Sequence, residues 1–491
     1  MQKFTPIMMV GTASDVGKSI LTTGLCRILK QDGFSPAPFK AQNMSLNSYA
    51  TPDGYEIGRA QAVQAEASGI PCHTDMNPVL LKPTSEKSSQ VILHGKPVGT
   101  QSAKEYFMEN NRANLFSEAC SAFDRLREKY NPIVMEGAGS ISELNLKKRD
   151  ITNMRMAAYA GAATYLVADI DKGGVFGSLY GTMELLGEAE RNLIKGIIIN
   201  KFRGDATLFQ EGKKILEDLC QVPVIGVIPY FNNIIVDEED SSGLGRKKIK
   251  AKEGEFNIAV VRLRHLSNHT DFTLPEKDSR VNLFYSDIPE ELEKADVIIL
   301  PGSKNTIDDL NFLRHQGIDK VIHHSLNKNK KVIGICGGFQ MLGEVIEDPW
   351  QVEGLQKSVK GLGILPVHTI ITREKKTVQT NFYFKDHEEL CHGYEIHMGI
   401  STITGEISPL NVLEDGHHDG YWLNDRCWGT YMHGILDNAC VFEKLLPEKL
   451  KSEDGSTLDI AGFKNQQYDL LADHLRQHLD IHYIYRQSGL V

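Results

Sequence analysis

The feature that most restricts the fold of this sequence lies at the start of the chain. There an apolar run is followed by a glycine-rich loop and a helix-like stretch. Residues 6–10 are apolar, residues 11–19 read GTASDVGKS, and residues 20–29 have helical composition. A strand, a glycine-rich loop and a helix in this order form a phosphate cradle, because backbone N–H groups and the helix dipole hold phosphate oxygens. The segment therefore predicts a P-loop domain that binds a nucleotide.

The side chains of this loop suit the same purpose. Lys18 supplies a positive charge for the phosphates, and the Ser19 hydroxyl is a ligand type for Mg²⁺. Five residues, instead of the usual four, separate Gly11 from Gly17, but the loop still ends in Gly-Lys-Ser. We expect Thr12, Gly17, Lys18 and Ser19 to contact ATP.

Short apolar runs alternate with helical segments through the first 230 residues or so. Such alternation predicts a mostly parallel sheet that helices cover on both faces. The expected strands are 6–10, 36–41, 132–136, 164–170, 196–200 and 223–228.

Polar residues follow three of these strands, at the sheet edge where parallel α/β sheets bind ligands. Glu136 is a candidate Mg²⁺ ligand, with a solvated loop acid as the alternative. Asn200 is a candidate for the adenine edge, although asparagine also caps turns. Lys40 lies in a stretch of amides and hydroxyls that suits a polar ligand, or a loop that bonds only to itself.

The second half of the chain carries a cysteine in a nucleophile elbow. The apolar run 331–335 leads into Cys336, two glycines and a helix-like stretch, and His433 follows a strand-like run far downstream. Such a turn lifts the thiol out of the sheet, and the helix N-terminus favours the thiolate. A cysteine and a distant histidine are the parts of an acyl-transfer site, whereas most cysteines are merely buried.

Another strand and glycine turn, residues 298–306, stands before the elbow. Its backbone N–H groups would stabilise an oxyanion formed at the thiol. The predicted oxyanion positions are Gly302, Ser303 and Gly337. We expect no zinc at His265 with His269, or at His417, His418 and Asp419, because neither grouping matches a zinc motif.

Length and composition fit a cytoplasmic protein of two or three domains. The chain has 491 residues and a net charge of −10, which argues against nucleic-acid binding, and its eight cysteines are scattered. No apolar run would span a membrane, and no signal peptide is recognisable. The predicted units are a P-loop domain at 1–235, a linker at 236–254, a second α/β domain at 255–446 and a helical segment at 447–491.

The motifs together closely resemble those of the cobyric acid synthases, the glutamine-dependent amidotransferases of the cobalamin pathway. The resemblance covers nearly the whole chain. It rests on GTASDVGKS, PFKAQNMSLNSYAT, VMEGAGS, DIDKGGVFGS, NKFRGD, VVRLRHLSNHTDF, PGSKNT, GICGGFQML, GYEIHMG and GTYMHG. It implies an α/β protein in which a P-loop, dethiobiotin-synthetase-like parallel-sheet domain precedes a class I glutamine amidotransferase-like domain of the CobBQ type.

The resemblance also implies the reaction. L-Glutamine, bound at Gly302, Ser303 and Gly337, would supply ammonia at Cys336 with His433 as base. ATP with Mg²⁺ would activate the b, d, e and g carboxylates of adenosylcobyrinic acid a,c-diamide. It implies no tightly bound organic cofactor and leaves the oligomeric state open. Gly434 and Ile435 follow His433 where many class I enzymes have Pro-Glu. A backbone carbonyl, a water or a distant acid therefore remains open as the group that orients His433.

Two alternatives are weighed against this function. Cobyrinic acid a,c-diamide synthases have the same domain pair but amidate other positions, and the PFKAQNMSLNSY segment argues against them. A regulatory P-loop ATPase with a binding-only amidotransferase module is the second alternative, and the intact Cys336 and His433 argue against it.

Overall fold

The computed structural model describes residues 3–85, 88–102, 109–231, 233–237, 248–451 and 460–491. The strands of the first half are β1 Ile7–Gly11, β2 Ala37–Phe39, β3 Gln42–Met44, β4 Ser48–Ala50, β5 Glu56–Gly58, β6 Val79–Ser85, β7 Ser88–Leu93, β8 Lys96–Ser102, β9 Ile133–Glu136, β10 Ala163–Asp169, β11 Ile194–Phe202 and β12 Val224–Pro229. Its helices are α1 Lys18–Gln31, α2 Arg59–Ser68, α3 Glu109–Lys129, α4 Met154–Ala160, α5 Val175–Leu185, α6 Glu188–Arg191 and α7 Gln210–Cys220.

The main sheet of this half has six parallel strands in the order β12-β11-β10-β1-β9-β2. Alternate residues of β1 point to opposite faces of the sheet. Ile7 and Met9 enter one hydrophobic cluster, and Met8 and Val10 enter another. Both faces are therefore covered, as the strand–helix alternation predicts, and every expected strand is present. The strand expected at 36–41 is shorter, because the chain leaves the sheet before Lys40.

The second half adds twelve strands: β13 Phe256–Val261, β14 Val281–Ser286, β15 Val297–Leu300, β16 Lys331–Ile335, β17 Val345–Glu347, β18 Ser358–Lys360, β19 Val367–Phe384, β20 Leu390–Ile403, β21 Asn411–Leu413, β22 His418–Asp419, β23 Tyr421–Asn424 and β24 Cys427–Thr430. Its helices are α8 Pro289–Leu292, α9 Thr306–Gln316, α10 Ile318–Asn327, α11 Gly337–Leu342, α12 Ala439–Leu445, α13 Ile460–His478 and α14 Ile481–Ser488.

The central sheet of the second half runs β14-β13-β15-β16-β24-β23, and only its edge pair β23–β24 is antiparallel. The antiparallel hairpin of β19 and β20 extends from this half towards the first. Among the described residues, no helix combines the length and the apolar composition that a membrane crossing requires.

The helix α13, near the end of the chain, packs on the first half of the chain, against α1. Leu471 and Leu475 are fully buried in the cluster that also holds Ile7 and Met9. A Cβ on Gly24 would lie 2.4 Å from Leu475 Cδ1, so α1 and α13 approach closely at this glycine. Sequence spacing predicts core packing for Leu470 as well, but Leu470 is 38% exposed.

Leu475→Ala is expected to destabilise the protein by about 2–5 kcal/mol, because it opens a cavity under α1. Leu470→Ala on the same helix is the matched control and should change stability by less than about 1 kcal/mol. Chemical unfolding of both variants measures this. Equal losses in the two variants would contradict the packing of α13 described here.

Candidate active sites

The P-loop packs closely against Asn200 of β11. Gly17 has a φ of +99°, and a Cβ there would lie 2.1 Å from Asn200 Nδ2. The Asn200 amide donates a hydrogen bond to the carbonyl of Val16 at 2.9 Å. Asn200 therefore supports the P-loop, and its contact with adenine stays a prediction.

Lys18 and Thr12 also lie at this loop. The Lys18 ammonium donates to the carbonyl oxygens of Ala13 at 3.1 Å and Gly139 at 3.0 Å. The backbone N–H of Thr12 donates to Val167 in β10 at 3.0 Å. Lys18 therefore spans the P-loop and the turn after β9, and its charge stays at the phosphate cradle.

Glu136 is the centre of a buried polar cluster beside the P-loop. Its carboxylate accepts hydrogen bonds from Ser19 Oγ at 2.7 Å, Lys40 Nζ at 3.0 Å and Gln64 Nε2 at 2.8 Å. Burial opposes ionisation, but Lys40, Ser19 and Gln64 hold the pKa of Glu136 below its ordinary value. A carboxylate and a hydroxyl in contact are hard oxygen donors, so Ser19 and Glu136 fit a Mg²⁺ ion.

Sequence reasoning missed two residues that contact the P-loop or Glu136. Gln64 comes from α2, far from any motif, and no pattern marks it. Lys201 follows Asn200, and its ammonium contacts Asp169 Oδ2 at 2.9 Å and the carbonyl of Asp15. Lys201 therefore connects β10 to the P-loop, and its place in the NKFRGD motif was the only signal for it.

The thiol of Cys336 stands on a strained turn between β16 and α11. Its backbone has φ 51° and ψ −108°, outside the regions that a non-glycine residue normally occupies. The neighbouring glycines are required, because a Cβ on Gly338 would lie 2.0 Å from the carbonyl oxygen of Leu300. The elbow predicted from sequence is present.

The predicted oxyanion segment lies directly against this turn. A Cβ on Gly337 would be 2.8 Å from the backbone nitrogen of Ser303, and one on Gly302 would be 3.1 Å from His433 Cε1. The Ser303 hydroxyl points elsewhere and donates to Asp309 Oδ2 at 2.6 Å. The backbone nitrogen of Ser303 thus lies beside the elbow, and its role as an oxyanion donor stays a prediction.

The same buried Asp309 carboxylate fixes the neighbouring loop. It accepts a hydrogen bond from the backbone N–H of His265, and it lies 3.1 Å from His265 Nδ1. His265 and Ser303 are thereby held together at the edge of the thiol site. This contact gives His265 a structural role.

His433 is completely buried, and a distant acid orients it. Its Nδ1 lies 2.7 Å from Asp271 Oδ2, while Asp271 Oδ1 accepts the N–H of Gly434 at 3.0 Å. Burial lowers the pKa of His433, but Asp271 and Cys336 outweigh burial and raise that pKa to about 10. The Nε2 atom makes no hydrogen bond to the residues that the structure describes, which leaves it available to Cys336.

Asp271 itself is held by the other half of the protein. It lies in the 3₁₀ turn His269–Phe272, which begins after Asn268 at φ 53°. The N–H of His269 donates to Asn47 Oδ1 at 3.1 Å, and the N–H of Ser48 donates to Asn268 Oδ1 at 3.0 Å. The PFKAQNMSLNSYAT segment therefore fixes the turn that carries Asp271.

These two sites define the class of the protein: a P-loop nucleotide-binding domain joined to a glutamine amidotransferase domain. Residues 7–243 match the CobQ/CobB/MinD/ParA nucleotide binding domain, and residues 257–441 match the CobB/CobQ-like glutamine amidotransferase domain. The domain limits predicted at 235, 254 and 446 stay predictions.

Curated relatives narrow the class. The chain is 57% identical over 489 residues to the cobyric acid synthase of Parabacteroides distasonis, with 99% of both chains covered. It is 56% identical to that of Phocaeicola vulgatus, with 98% of both covered, and 46% identical to that of Syntrophobacter fumaroxidans, with 99% of both covered. The chain belongs to the cobyric acid synthase family.

Replacing Asp271 tests its role as the positioning residue for His433. Asp271→Asn keeps the shape but loses the charge that raises the pKa of His433, so this pKa should fall. Glutamine hydrolysis should fall by about 10²-fold or more. The measurements are the hydrolysis rate against pH and the titration of His433 by NMR. Asp271→Glu should restore part of the rate, whereas an unchanged His433 titration in Asp271→Asn would exclude this role.

Proposed function

We propose that the protein catalyses the glutamine- and ATP-dependent amidation of the b, d, e and g carboxylates of adenosylcobyrinic acid a,c-diamide. Membership of the cobyric acid synthase family supports this proposal. The observation that carries it is the presence, in one chain, of an oriented thiol–imidazole pair and a P-loop with a buried carboxylate.

Ammonia is made at the thiol site. Cys336 attacks the carboxamide carbon of L-glutamine, and its proton passes to His433. The N–H groups of Ser303 and Gly337 stabilise the oxyanion, and His433 returns the proton to the departing NH₃. Water, activated by His433, then hydrolyses the glutamyl thioester to glutamate and regenerates the thiol.

The carboxylate is activated at the P-loop site. A corrinoid carboxylate oxygen attacks the γ-phosphorus of ATP, which gives an acyl phosphate and ADP. Ammonia adds to the acyl carbon, and inorganic phosphate leaves as the amide forms. Activation is needed because a free carboxylate is a poor electrophile. Lys18, Thr12 and Gly17 bind and orient the phosphates in this proposal, and Lys40 keeps Glu136 ionised.

The residues beside the P-loop suit a magnesium ion. Ser19 and Glu136 would hold it, since both offer oxygen ligands and already contact each other at 2.7 Å. The ion would neutralise phosphate charge during transfer.

The alternatives explain less. The three curated relatives named above, each matched over nearly its full length, are cobyric acid synthases. A binding-only amidotransferase module would have no use for a strained cysteine beside a histidine that a buried carboxylate orients.

Cys336→Ser and Lys18→Ala form a reciprocal pair that tests the two-site scheme. Cys336→Ser should lose glutamine-dependent amidation by about 10³-fold or more, because a hydroxyl is far less acidic than a thiol. It should still amidate the corrinoid with ammonium salt and ATP at alkaline pH. Lys18→Ala should fail with both nitrogen sources. Mass spectrometry of the corrinoid counts the amides. Normal use of glutamine by Cys336→Ser, or amidation by Lys18→Ala, would contradict the scheme.

Glu136→Gln tests the magnesium ligand. The change preserves shape but weakens a ligand for a hard cation, so ammonia-dependent amidation should slow by about 10- to 100-fold. Raised Mg²⁺ should restore part of the rate, and glutamine hydrolysis should survive at least in part. Titration of the amidation rate with Mg²⁺ is the measurement. An unchanged rate and an unchanged Mg²⁺ dependence would show that Glu136 is not a magnesium ligand.

A further inference from the structure

Two cysteines that no sequence motif marks meet in the amidotransferase half. Cys391 lies at the start of β20, and Cys440 lies in α12, 49 residues further along the chain. Both are free thiols, and their sulfur atoms are 3.3 Å apart. Only the fold brings them together, and neither has a role in the chemistry described above.

The two thiols differ in exposure and in acidity. Cys391 is 1% exposed and lies in the hydrophobic core with Phe382 and Phe384, whereas Cys440 is only partly buried. With Cys391 as the donor of the hydrogen bond between them, the pKa of Cys440 is lowered and that of Cys391 is raised. A reagent from solvent therefore reaches the more acidic thiol first.

The thiol pair is the last of three cross-links between two chain segments, the first of which involves His433. The N–H of His433 donates to the carbonyl of Tyr394 at 2.8 Å, and the N–H of Tyr394 donates to the carbonyl of His433 at 3.2 Å. Next along both segments, the N–H of His392 donates to Asn438 Oδ1 at 2.9 Å, and Asn438 Nδ2 donates to the carbonyl of His392 at 3.0 Å. The contact between the two sulfur atoms follows.

Asn438 connects the thiol pair to the groups around His433. It caps the start of α12, and its Nδ2 atom also lies 3.2 Å from the carbonyl oxygen of Gly434 and 3.1 Å from that of Ile435. The N–H of Gly434 in turn donates to Asp271, which orients His433. A displacement of α12 is therefore passed on to the contact between His433 and Asp271.

A disulfide between the two cysteines would cause such a displacement. The sulfur atoms of a disulfide are about 2.0 Å apart, so the present 3.3 Å has to shorten by about 1.3 Å. Because Cys391 is packed in the core, most of this movement falls on Cys440 and α12. Misplacing an active-site group by about 1 Å can lower a rate by about 10²-fold.

We propose that Cys391 and Cys440 are a site of reversible exchange with low-molecular-weight disulfides, and that the bond formed there lowers glutamine hydrolysis. The Cys440 thiolate attacks one sulfur of the disulfide RSSR, and RS⁻ leaves and takes up a proton. The Cys391 thiol then gives up its proton, and its sulfur displaces a second RS⁻ from Cys440. Two protein thiols and RSSR thus yield one protein disulfide and two RSH, and excess RSH reverses the reaction.

The two parts of this proposal depend on different things. Formation of the disulfide rests only on the positions of the two thiols. Its effect rests on the proposed function, because glutamine hydrolysis at Cys336 is the activity that it lowers. The P-loop site lies in the other half of the protein, so amidation with ammonia and ATP should continue in the oxidised form.

The test treats the full-length protein with glutathione disulfide, alkylates the remaining thiols and maps the disulfides by mass spectrometry. Peptides joined through Cys391 and Cys440 should appear, and dithiothreitol should separate them. Glutamine hydrolysis should fall by about tenfold or more in the oxidised protein and recover after reduction. Amidation with ammonium salt and ATP, measured on the same samples, should not change.

Cys440→Ser separates this effect from direct oxidation of the catalytic thiol. The variant keeps the shape of the side chain but cannot form the disulfide, so it should keep its glutamine hydrolysis under the same treatment. Oxidation of Cys336 would inhibit the parent and this variant alike. Cys120→Ser removes a buried thiol of the other half and is the matched control, which should respond as the parent does.

Each outcome decides one part of the proposal. If mapping finds no bond between Cys391 and Cys440, the exchange site is wrong. If the bond forms without lowering hydrolysis, or if oxidised Cys440→Ser loses as much activity as the parent, the bond does not control hydrolysis. If the reduced parent hydrolyses no glutamine even with ATP and corrinoid present, the proposed function fails together with the effect on hydrolysis, and the mapping alone decides the exchange site.

Discussion

The thiol site depends on one buried contact, the 2.7 Å hydrogen bond between His433 and Asp271. A fully buried imidazole would otherwise be neutral and free to choose either tautomer. The carboxylate holds the proton on Nδ1 and, together with Cys336, favours the protonated imidazolium. Because Asn47 and Ser48 of the other domain hold the turn that carries Asp271, the amidotransferase half is completed by the P-loop half.

The PFKAQNMSLNSYAT segment therefore contributes to both sites. At its beginning, Lys40 binds Glu136 beside the P-loop. The strand β3 follows and is paired with β6, and at the end Tyr49 packs against Tyr394, whose ring stacks on His433. Every part of this path is hydrogen-bonded or packed, so the distance between the sites is fixed by the fold.

The sequence predicts best what depends on local geometry. The P-loop and the elbow at Cys336 are recognisable because glycines are required where the backbone turns sharply or approaches another strand. Asp271 and Gln64 could not be predicted, since each acts through a contact with a residue far away in the chain. The hairpin of β19 and β20 was missed for a similar reason: its strands alternate only weakly between apolar and polar residues, and pairing, not composition, defines them.

Buried charged residues determine how the two domains fit together. Glu56 is fully buried and accepts hydrogen bonds from Lys82 of its own domain and from Lys375 of β19. Burial opposes its ionisation, but the two lysines hold the pKa of Glu56 well below its ordinary value, while burial lowers the pKa of Lys375 to about 7.

Such a buried pair adds little net stability compared with apolar residues of the same size, but breaking it costs about 3–5 kcal/mol. A hairpin shifted along β4 would separate Lys375 from Glu56, so that Lys375 would lose this partner and Glu56 would keep only Lys82. The same hairpin brings the carbonyl oxygen of Ile396 to 3.7 Å from the thiol of Cys336. The buried ion pair disfavours a shifted hairpin, and it therefore also keeps Ile396 in place at the wall of the thiol site.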